Sequence, residues 1–418
     1  MVSSSNKFEK KCNEKLCRSC GHIGLKPILD LGRMPLSDRL LTDSQIREPE
    51  GKYPLEVAYC PECSLVQILQ TVPPEKLFCE DYPYYSSFSD TLLEHSRRNV
   101  LSLIESRGLG RDSFVVELAS NDGYLLKNYV ESGIPCLGID PAEGPARAAE
   151  KIGVPTLCDF FSQGLANRLA NEGCRADVIH ANNVLAHVAD TNGFVEGIRI
   201  LLKDNGVAVI EVPYVRDLID NCQFDTIYHE HLCYFSVTSM DRLFRRHRLF
   251  LNGVARLSIH GGSLRLYVEP REQVGDSVRE LLAQEAQTSV DQHSYYTRFG
   301  RDVESVRESV QQLLYRLKKK GKHIAAYGAA AKGAIMLNYI DAGPDLIDFV
   351  VDRNVHKQGK YMPGVHIPIC DPCRLLQDMP DYVIILPWNF KDEILSQQSA
   401  FREKGGKFII PVPKPIVV

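Results

Sequence analysis

The segment DSFVVELASNDGYLLKNYVESGIPCLGIDPAEGPARAAEKIGVPTLCDFF, residues 112–161, limits the possible folds more than any other part of this chain. A β-branched and aromatic run ends at a turn of small residues, and an apolar-periodic helix follows it. A second strand, CLGID, then ends in an acid, Asp140. This order is typical of a nucleotide-binding, doubly wound sheet, in which Gly123 would let a ligand approach the backbone and Asp140 would bind a ribose diol.

The rest of the chain repeats the alternation of strands and helices. ADVIHANNVLAHV (176–188) predicts a fourth strand that ends near Asn182 and Asn183, and NGVAVIEVPY (205–214) predicts a fifth. Two β-rich runs in 255–270 could finish that sheet, and a polar stretch over 271–320 predicts helical connections. KHIAAYGAAAKGAIMLNYI then restarts the pattern of strand, small-residue turn and helix, which predicts a second Rossmann-like unit.

Four of the thirteen cysteines form two Cys-x-x-Cys pairs, Cys17 with Cys20 and Cys60 with Cys63. Two such pairs can complete a tetrahedral shell of four thiolates, which suits a structural Zn²⁺ and leaves no open coordination position. The alternatives are redox pairs or merely buried pairs, and Cys12 or His22 could replace a ligand. A third pair, Cys370 and Cys373, has no partner pair nearby and is interpreted as incidental.

Composition excludes several classes of protein. Hydrophobic residues make up 44% and charged residues 24% of the chain, which is typical of a soluble protein with apolar cores. A net charge of −4 gives no basic field for nucleic acid, so nucleic-acid binding is disfavoured. The stretch MVSSSNKFEKKCNEK carries charge with no apolar segment behind it, and no apolar run of about 18 residues occurs, so we expect a cytoplasmic protein that binds no membrane.

The stretch YHEHLCYFS, residues 228–236, concentrates ionisable side chains directly beyond the fifth strand. An extended backbone would place His229 and His231 on one face, with Tyr228 and Glu230 on the other. A tight turn would instead bring Tyr228 and His231 together, and the sequence leaves both possibilities open. Histidine is the side chain whose ordinary pKa suits a general base near neutral pH.

These motifs carry a family resemblance. The turn Glu117-Leu-Ala-Ser-Asn-Asp-Gly123 resembles motif I of S-adenosylmethionine-dependent methyltransferases. The two cysteine pairs, YPYYSSFSDTLLEHS, this turn and FDTIYHEHLCYFS, in that order, resemble the nucleotide-sugar C-3′-methyltransferases. The resemblance implies an α/β protein with an N-terminal zinc-binding module (1–75) and a central Rossmann-like class I methyltransferase domain (76–270). A helical connector and a C-terminal Rossmann-like domain (271–418) would follow.

In that family the substrate is a 4-keto-6-deoxyhexose carried on a nucleoside diphosphate, either dTDP or GDP here. The resemblance makes His231 the base that removes the C-3′ proton, with Tyr228, Glu230 and His187 beside it. S-adenosylmethionine would be bound by Glu117, Ala119, Asn121, Asp122, Gly123, Asp140, Pro141, Asp159, Phe160, Asn182 and Asn183.

The sugar would lie under a lid of four residues, Tyr82, Tyr85, Ser86 and Ser87, and the diphosphate would contact Gly328, Ala329, Lys332, Arg353 and Asn389. GAAAKG lacks Walker A spacing, so ATP binding is not expected. A monomer is the default oligomeric state. The alternatives are a doubly wound domain with another ligand, a zinc-ribbon RNA methyltransferase and a non-catalytic assembly protein.

Overall fold

The computed structural model describes residues 10–11, 14–73, 77 and 85–418, and it contains three sheets. The first sheet has the order β1-β2-β3-β9 and is antiparallel throughout. Its strands are β1 (Lys26–Pro35), β2 (Lys52–Tyr59), β3 (Val66–Ile68) and β9 (Cys233–Tyr234). Because β9 follows the Tyr-His-Glu-His turn directly, the N-terminal module pairs with the chain just beyond the predicted catalytic residues.

The second sheet has seven strands in the order β10-β11-β8-β7-β4-β5-β6. They are β4 (Val115–Leu118), β5 (Cys136–Ile139), β6 (Thr156–Leu157), β7 (Ala176–Asn182), β8 (Leu202–Pro213), β10 (Phe250–Leu257) and β11 (Ser263–Glu269). Strands β4 to β8 pair in parallel, whereas β11 runs antiparallel to both β8 and β10. The strand order reverses between β4 and β7, which is where ligands bind in open α/β sheets.

Seven helices belong to this central region: α1 (Asp90–Arg107), α2 (Lys127–Glu131), α3 (Glu143–Lys151), α4 (Gln163–Asn171), α5 (Thr191–Leu201), α6 (Val215–Asp220) and α7 (Val237–Arg246). Ser89 caps α1 by accepting a hydrogen bond from the Leu92 amide, and Gly108 ends it in the left-handed conformation. The helix that the sequence predicts directly after the Gly123 turn begins only at Lys127, because non-helical turns occupy residues 121–126.

The connector forms α8 (Asp276–Thr288), α9 (His293–Tyr296) and α10 (Phe299–Lys319). Its long helix α10 buries an apolar stripe at helical spacing: Phe299, Val303, Val306, Val310, Leu313, Leu314 and Leu317. Glu285 of α8 is fully buried and accepts hydrogen bonds from the Tyr214 hydroxyl at 2.8 Å and the Val237 amide at 2.7 Å. The connector is therefore fixed to the central domain.

The third sheet has the order β14-β13-β12-β15-β16-β17 and is parallel except for β17. Its strands are β12 (Ile324–Tyr327), β13 (Val350–Val351), β14 (Ile369–Cys370), β15 (Tyr382–Ile385), β16 (Lys407–Ile410) and β17 (Ile416–Val417). Its helices are α11 (Ala331–Tyr339), α12 (Arg374–Asp378), α13 (Lys391–Gln397) and α14 (Ser399–Glu403). The predicted fold class is confirmed, including the second Rossmann-like unit, whereas the domain boundaries stay a prediction.

Candidate functional site

The turn after β4 has the geometry of a nucleotide-binding loop. Ala119, Asn121 and Gly123 adopt positive φ angles of 57°, 49° and 76°. The Asn121 amide donates to Asp140 Oδ2 at 2.8 Å, and the Ala142 amide donates to Asp140 Oδ1 at 2.8 Å. The acid at the end of β5 thus holds both its own turn and the turn after β4.

Gly123 serves a purpose that the sequence did not show. A Cβ atom added there would lie 3.1 Å from Val154 Cγ2 and 3.2 Å from the Ala149 Cβ. Its φ of 76° also favours glycine. In the structure its small size is needed for packing against α3 and the chain after it, and its predicted role of admitting a ligand stays a prediction.

Several acceptor atoms around this turn have no partner among the described residues. They are both carboxylate oxygens of Glu117, Oδ1 of Asp122 and Oδ1 of Asn182. Burial, followed by the Asp140 charge, raises the pKa of Glu117 well above its ordinary value. A ligand that brings hydroxyl and amino donors would satisfy these atoms, as the ribose and amino groups of S-adenosylmethionine would.

The other predicted cofactor contacts lie around the same edge. Pro141 is half-buried beside Asp140, and Asn183 adopts a φ of 54° while its amide donates to the Glu211 carbonyl at 2.8 Å. Asp159 and Phe160 follow β6 and are exposed, with Phe160 51% accessible. An exposed aromatic ring at this edge suits an adenine stacking surface, and this role stays a prediction.

The lid segment contacts the cofactor turn directly. The Ser86 amide donates to Asn121 Oδ1 at 2.8 Å, and the Ser87 amide donates to Asp122 Oδ2 at 3.1 Å. Tyr85 stacks on His356 of the C-terminal domain, with 6.0 Å between ring centroids. Tyr82 lies outside the described residues. The described part of the lid therefore joins the cofactor turn to the C-terminal domain.

The Tyr-His-Glu-His stretch is a tight turn, which settles the alternative left open by the sequence. The His231 amide donates to the Tyr228 carbonyl at 2.9 Å, and the centroids of the two side-chain rings lie 3.9 Å apart. His231 Nδ1 lies 2.8 Å from the Thr226 carbonyl, and its Nε2 lies 2.8 Å from the Tyr228 hydroxyl. Because a carbonyl only accepts, Nδ1 carries the proton and Nε2 accepts from Tyr228.

His187 and Glu230 adjoin this pair. The centroids of the His187 and His231 rings lie 4.7 Å apart. The backbones beside these two rings are also joined, because the Leu232 amide donates to the Ala186 carbonyl at 2.7 Å. Burial lowers the pKa of His187 to about 4, so this ring is neutral at neutral pH. Burial, followed by the nearby Asp38 charge, raises the pKa of Glu230 to about 8, so this carboxyl is largely protonated at neutral pH.

His229 points away from the other three residues. Its Nε2 lies 3.2 Å from the Pro54 carbonyl, and its ring packs edge-on against Tyr53 at 5.9 Å. Both contacts are with the N-terminal module. These contacts place His229 in a supporting position beside the N-terminal module.

Cys17, Cys20, Cys60 and Cys63 come together although the pairs are far apart in the chain. Their four sulfur atoms lie within 4.8 Å of one another, and three of the four residues are buried. The Sγ atoms of Cys17 and Cys63 are 3.4 Å apart, and those of Cys20 and Cys60 are 3.5 Å apart. This cluster fits a tetrahedral Zn²⁺ site with only thiolate ligands, whose task is structural.

The C-terminal domain repeats the geometry of the cofactor turn. The Ala329 amide donates to Asp352 Oδ2 at 2.7 Å and the Asn354 amide to Asp352 Oδ1 at 2.8 Å, as the corresponding amides do at Asp140. Gly328 has a φ of 93°, and a Cβ there would meet Pro387 at 2.4 Å.

The predicted diphosphate ligands of this domain make contacts within the protein. Lys332 Nζ donates to Asn389 Oδ1 at 2.7 Å and lies 4.6 Å from the centre of the Trp388 ring. Arg353 pairs with Glu393 at 3.6 Å. Their binding roles stay predictions.

Sequence reasoning missed three residues around the predicted catalytic turn, Tyr228 to His231. Thr226 acts through its carbonyl, so its residue type gave no signal. Asp38, in the stretch PLSDRL, affects Glu230 across the interface of two modules. Trp388 is the only tryptophan of the chain, which is a composition signal, and its indole donates to Asp225 Oδ2 at 2.7 Å.

The fold and the cofactor turn define a class I S-adenosylmethionine-dependent methyltransferase with a zinc-binding module. Three family models match consecutive parts of the chain: a zinc binding domain at residues 17–78, a methyltransferase domain at 92–249 and a C-methyltransferase C-terminal domain at 258–413.

Among curated proteins, the C-methyltransferase NovU of Streptomyces niveus is 34% identical over 405 residues, which are 96% of both chains. The chain therefore belongs to the C-methyltransferase family. Zinc and S-adenosylmethionine are its cofactors, and the predicted family is confirmed. The Ubiquinone biosynthesis O-methyltransferase of Azorhizobium caulinodans is 29% identical over 125 residues, 29% of this chain and 47% of the other.

A similar solved structure is the 1,6-didemethyltoxoflavin-N1-methyltransferase of Burkholderia thailandensis, with bound 1,6-didemethyltoxoflavin and S-adenosylhomocysteine. It is 16% identical, with a TM-score of 0.36, over 50% of this chain and 97% of that one. The family assignment rests on the family models and the Streptomyces relative alone. Among the described residues, no helix combines the length and apolar character required to cross a membrane.

Proposed function

We propose that this C-methyltransferase methylates C-3′ of a nucleoside-diphosphate 4-keto-6-deoxyhexose by way of an enolate. The observation that carries the proposal is the Tyr228–His231–Thr226 arrangement beside His187, at the end of the sheet where the cofactor turn lies. Transfer to carbon requires a carbon nucleophile, and a hydrogen next to a ketone is acidic enough for a positioned base to remove.

His231 is suited to the role of base. Its Nδ1–H is held by the Thr226 carbonyl, so the lone pair of Nε2 faces the Tyr228 hydroxyl. When the sugar enters, the Tyr228 hydroxyl turns its hydrogen away from Nε2. Nε2 then takes the C-3′ proton, and the Thr226 carbonyl stabilises the resulting imidazolium through the same hydrogen bond. The proton then resides on Nε2, and the electron pair of the C–H bond enters the enolate.

The oxyanion that develops on O-4 needs hydrogen-bond donors. His187 is neutral, and its Nδ1 has no partner among the described residues; in the tautomer that carries its one hydrogen on Nδ1, this N–H would face the substrate. Glu230 is largely protonated at neutral pH and can donate as a carboxylic acid. Such preorganised donors stabilise charge that develops in the transition state.

S-adenosylmethionine supplies the methyl group that the enolate carbon attacks. The chain's own task is to hold C-3′ in line with that group and to exclude water. Tyr85, Ser86 and Ser87 support this task because they connect the cofactor turn to the C-terminal domain above it.

The nucleotide would lie against the C-terminal domain. Helix α11 has no side-chain cap at its N-terminus, and the Gly328–Ala329 turn leads into it. Lys357 is 2.7 Å from the Ala329 carbonyl and attracts Asp38, which brings a cation to the side of the site that contains Glu230. A helix N-terminus and a nearby ammonium suit a diphosphate. Monomeric state remains a prediction.

The proposal is tested by product mass. The purified protein is incubated with S-adenosylmethionine and either a dTDP- or a GDP-linked 4-keto-6-deoxyhexose. One added methyl group on one of the two sugars is the expected result and identifies the carrier. His323→Asn, at an exposed histidine of the C-terminal domain, is the matched control for His231→Asn and should retain full activity. No methylated product with either sugar would overturn the proposed substrate class.

A further inference from the structure

A buried polar contact joins the C-terminal domain to the segment that precedes the catalytic turn. Asp225 is fully buried in the 3₁₀ helix Phe224–Thr226, and the Trp388 indole N–H donates to its Oδ2 at 2.7 Å. Trp388 lies in another 3₁₀ helix, Trp388–Phe390, which follows β15 of the C-terminal sheet. This single hydrogen bond therefore links two domains that are far apart in sequence.

Lys332 completes the contact. Its ammonium lies 4.6 Å from the centre of the Trp388 ring, donates to Asn389 Oδ1 at 2.7 Å and attracts the Asp225 carboxylate. The other carboxylate oxygen of Asp225 has no hydrogen-bond partner among the described residues. Burial of an unpaired carboxylate costs free energy. The indole of Trp388 and the ammonium of Lys332 therefore stabilise the buried Asp225 carboxylate.

The segment that contains Asp225 also orients His231. Thr226 is the next residue of the same 3₁₀ helix, and its carbonyl accepts from His231 Nδ1 at 2.8 Å. The Thr226 hydroxyl donates to the Gln223 carbonyl at 2.7 Å, and this hydrogen bond ties the last residue of the helix to the residue that precedes it. In so short a helix, a shift of Asp225 also shifts the Thr226 carbonyl and changes the direction of the His231 ring.

We propose that Trp388, Lys332 and Asp225 are positioning residues through which the C-terminal domain sets the orientation of the base His231. This assigns the second Rossmann-like unit a part in catalysis that does not depend on direct contact with the reacting atoms. It also gives Lys332 a task other than diphosphate binding, because its ammonium is already engaged at the domain contact. The inference rests on the proposed function in that His231 is the base.

Trp388→Phe tests it, because the variant keeps an aromatic ring over Lys332 and removes the N–H donor. Tyr361→Phe is the matched control: the Tyr361 hydroxyl donates to Asp43 Oδ1 at 2.7 Å, so it too links two domains through an aspartate, but away from the catalytic turn. The assay is exchange of the C-3′ hydrogen of the keto sugar in D₂O without S-adenosylmethionine, at saturating sugar.

We expect Trp388→Phe to slow this exchange about 10-fold, as the loss of one hydrogen bond to a charged group would. The KM for the sugar and the Kd for S-adenosylmethionine should stay within about twofold, and Tyr361→Phe should exchange at the wild-type rate. Exchange in Trp388→Phe at the wild-type rate, or a change confined to KM, would overturn the inference. Absence of exchange in the wild-type protein would instead overturn the proposed function.

A second pair of variants covers the case in which Trp388→Phe does not fold. Asp225→Asn keeps an oxygen acceptor for the indole and should retain most of the exchange rate, whereas Asp225→Ala should lose it to the same extent as Trp388→Phe. Because Trp388 is the only tryptophan, tryptophan fluorescence reports on the surroundings of this one ring, which include Asp225. An emission spectrum that is the same in Asp225→Ala as in the wild type would show that the contact is absent in solution.

Discussion

At the scale of single residues, the protonation state of the Glu230 carboxyl sets the predicted pH dependence of the reaction. Burial and the neighbouring Asp38 raise the pKa of Glu230 to about 8, above its ordinary value. Glu230 is therefore protonated below that pH and loses its proton, and its ability to donate, as the pH rises through it. We predict that kcat falls on the alkaline side with a midpoint near this value, as a pH-rate profile would show.

Glu230→Gln provides the control for this prediction, because the amide is a neutral donor at every pH. The variant should keep activity near neutral pH and lose the alkaline decline that Glu230 causes. If the decline persists unchanged in Glu230→Gln, another group is responsible for it.

Asp140 and Asp352 occupy equivalent positions in the two Rossmann-like units, which allows a matched pair of variants. Asp140→Ala removes the acceptor of the Asn121 and Ala142 amides and the predicted ribose ligand. We predict a Kd for S-adenosylmethionine raised about 10-fold or more, measured by calorimetry. Asp352→Ala removes the same contacts in the C-terminal domain and should leave this Kd unchanged; equal effects of the two would contradict the assignment of the cofactor site.

At the scale of elements, the zinc module is coupled to the catalytic turn through sheet pairing. β3 follows Cys60 and Cys63 and pairs with β9, which begins two residues after His231. Because a structural zinc site contributes folding energy, its loss should loosen β3 and therefore β9. We predict that chelation releases one zinc per chain and lowers kcat much more than the affinity for S-adenosylmethionine.

This prediction is checked by metal analysis, calorimetry and activity on the same chelated sample. Re-addition of Zn²⁺ should restore activity. Full activity in protein shown to be free of zinc would contradict the coupling between β3 and β9.

The sequence predicted these elements unequally. The strand, turn and helix order of both Rossmann-like units was readable, because apolar periodicity and small-residue turns are local. The conformation of Tyr228 to His231 was not, since it depends on the Thr226 carbonyl and on the β3–β9 pairing. The contact between Trp388 and Asp225 could not be predicted from the sequence either, because it joins residues from different domains.

At the scale of the whole molecule, the predicted catalytic turn lies where three modules meet. The N-terminal module contributes Asp38 near Glu230 and the Pro54 carbonyl that holds His229. The central domain supplies the cofactor turn and His187, and the C-terminal domain supplies Trp388 and the His356 ring over the lid. Residues of all three modules therefore surround this turn.

The most direct test of the enolate account is deuterium exchange at C-3′ of the keto sugar in D₂O, followed by NMR without S-adenosylmethionine. We predict exchange in the wild-type protein and a rate lower by on the order of 10²-fold or more in His231→Asn, with cofactor affinity nearly unchanged. Exchange at the wild-type rate in His231→Asn would contradict the assignment of the base.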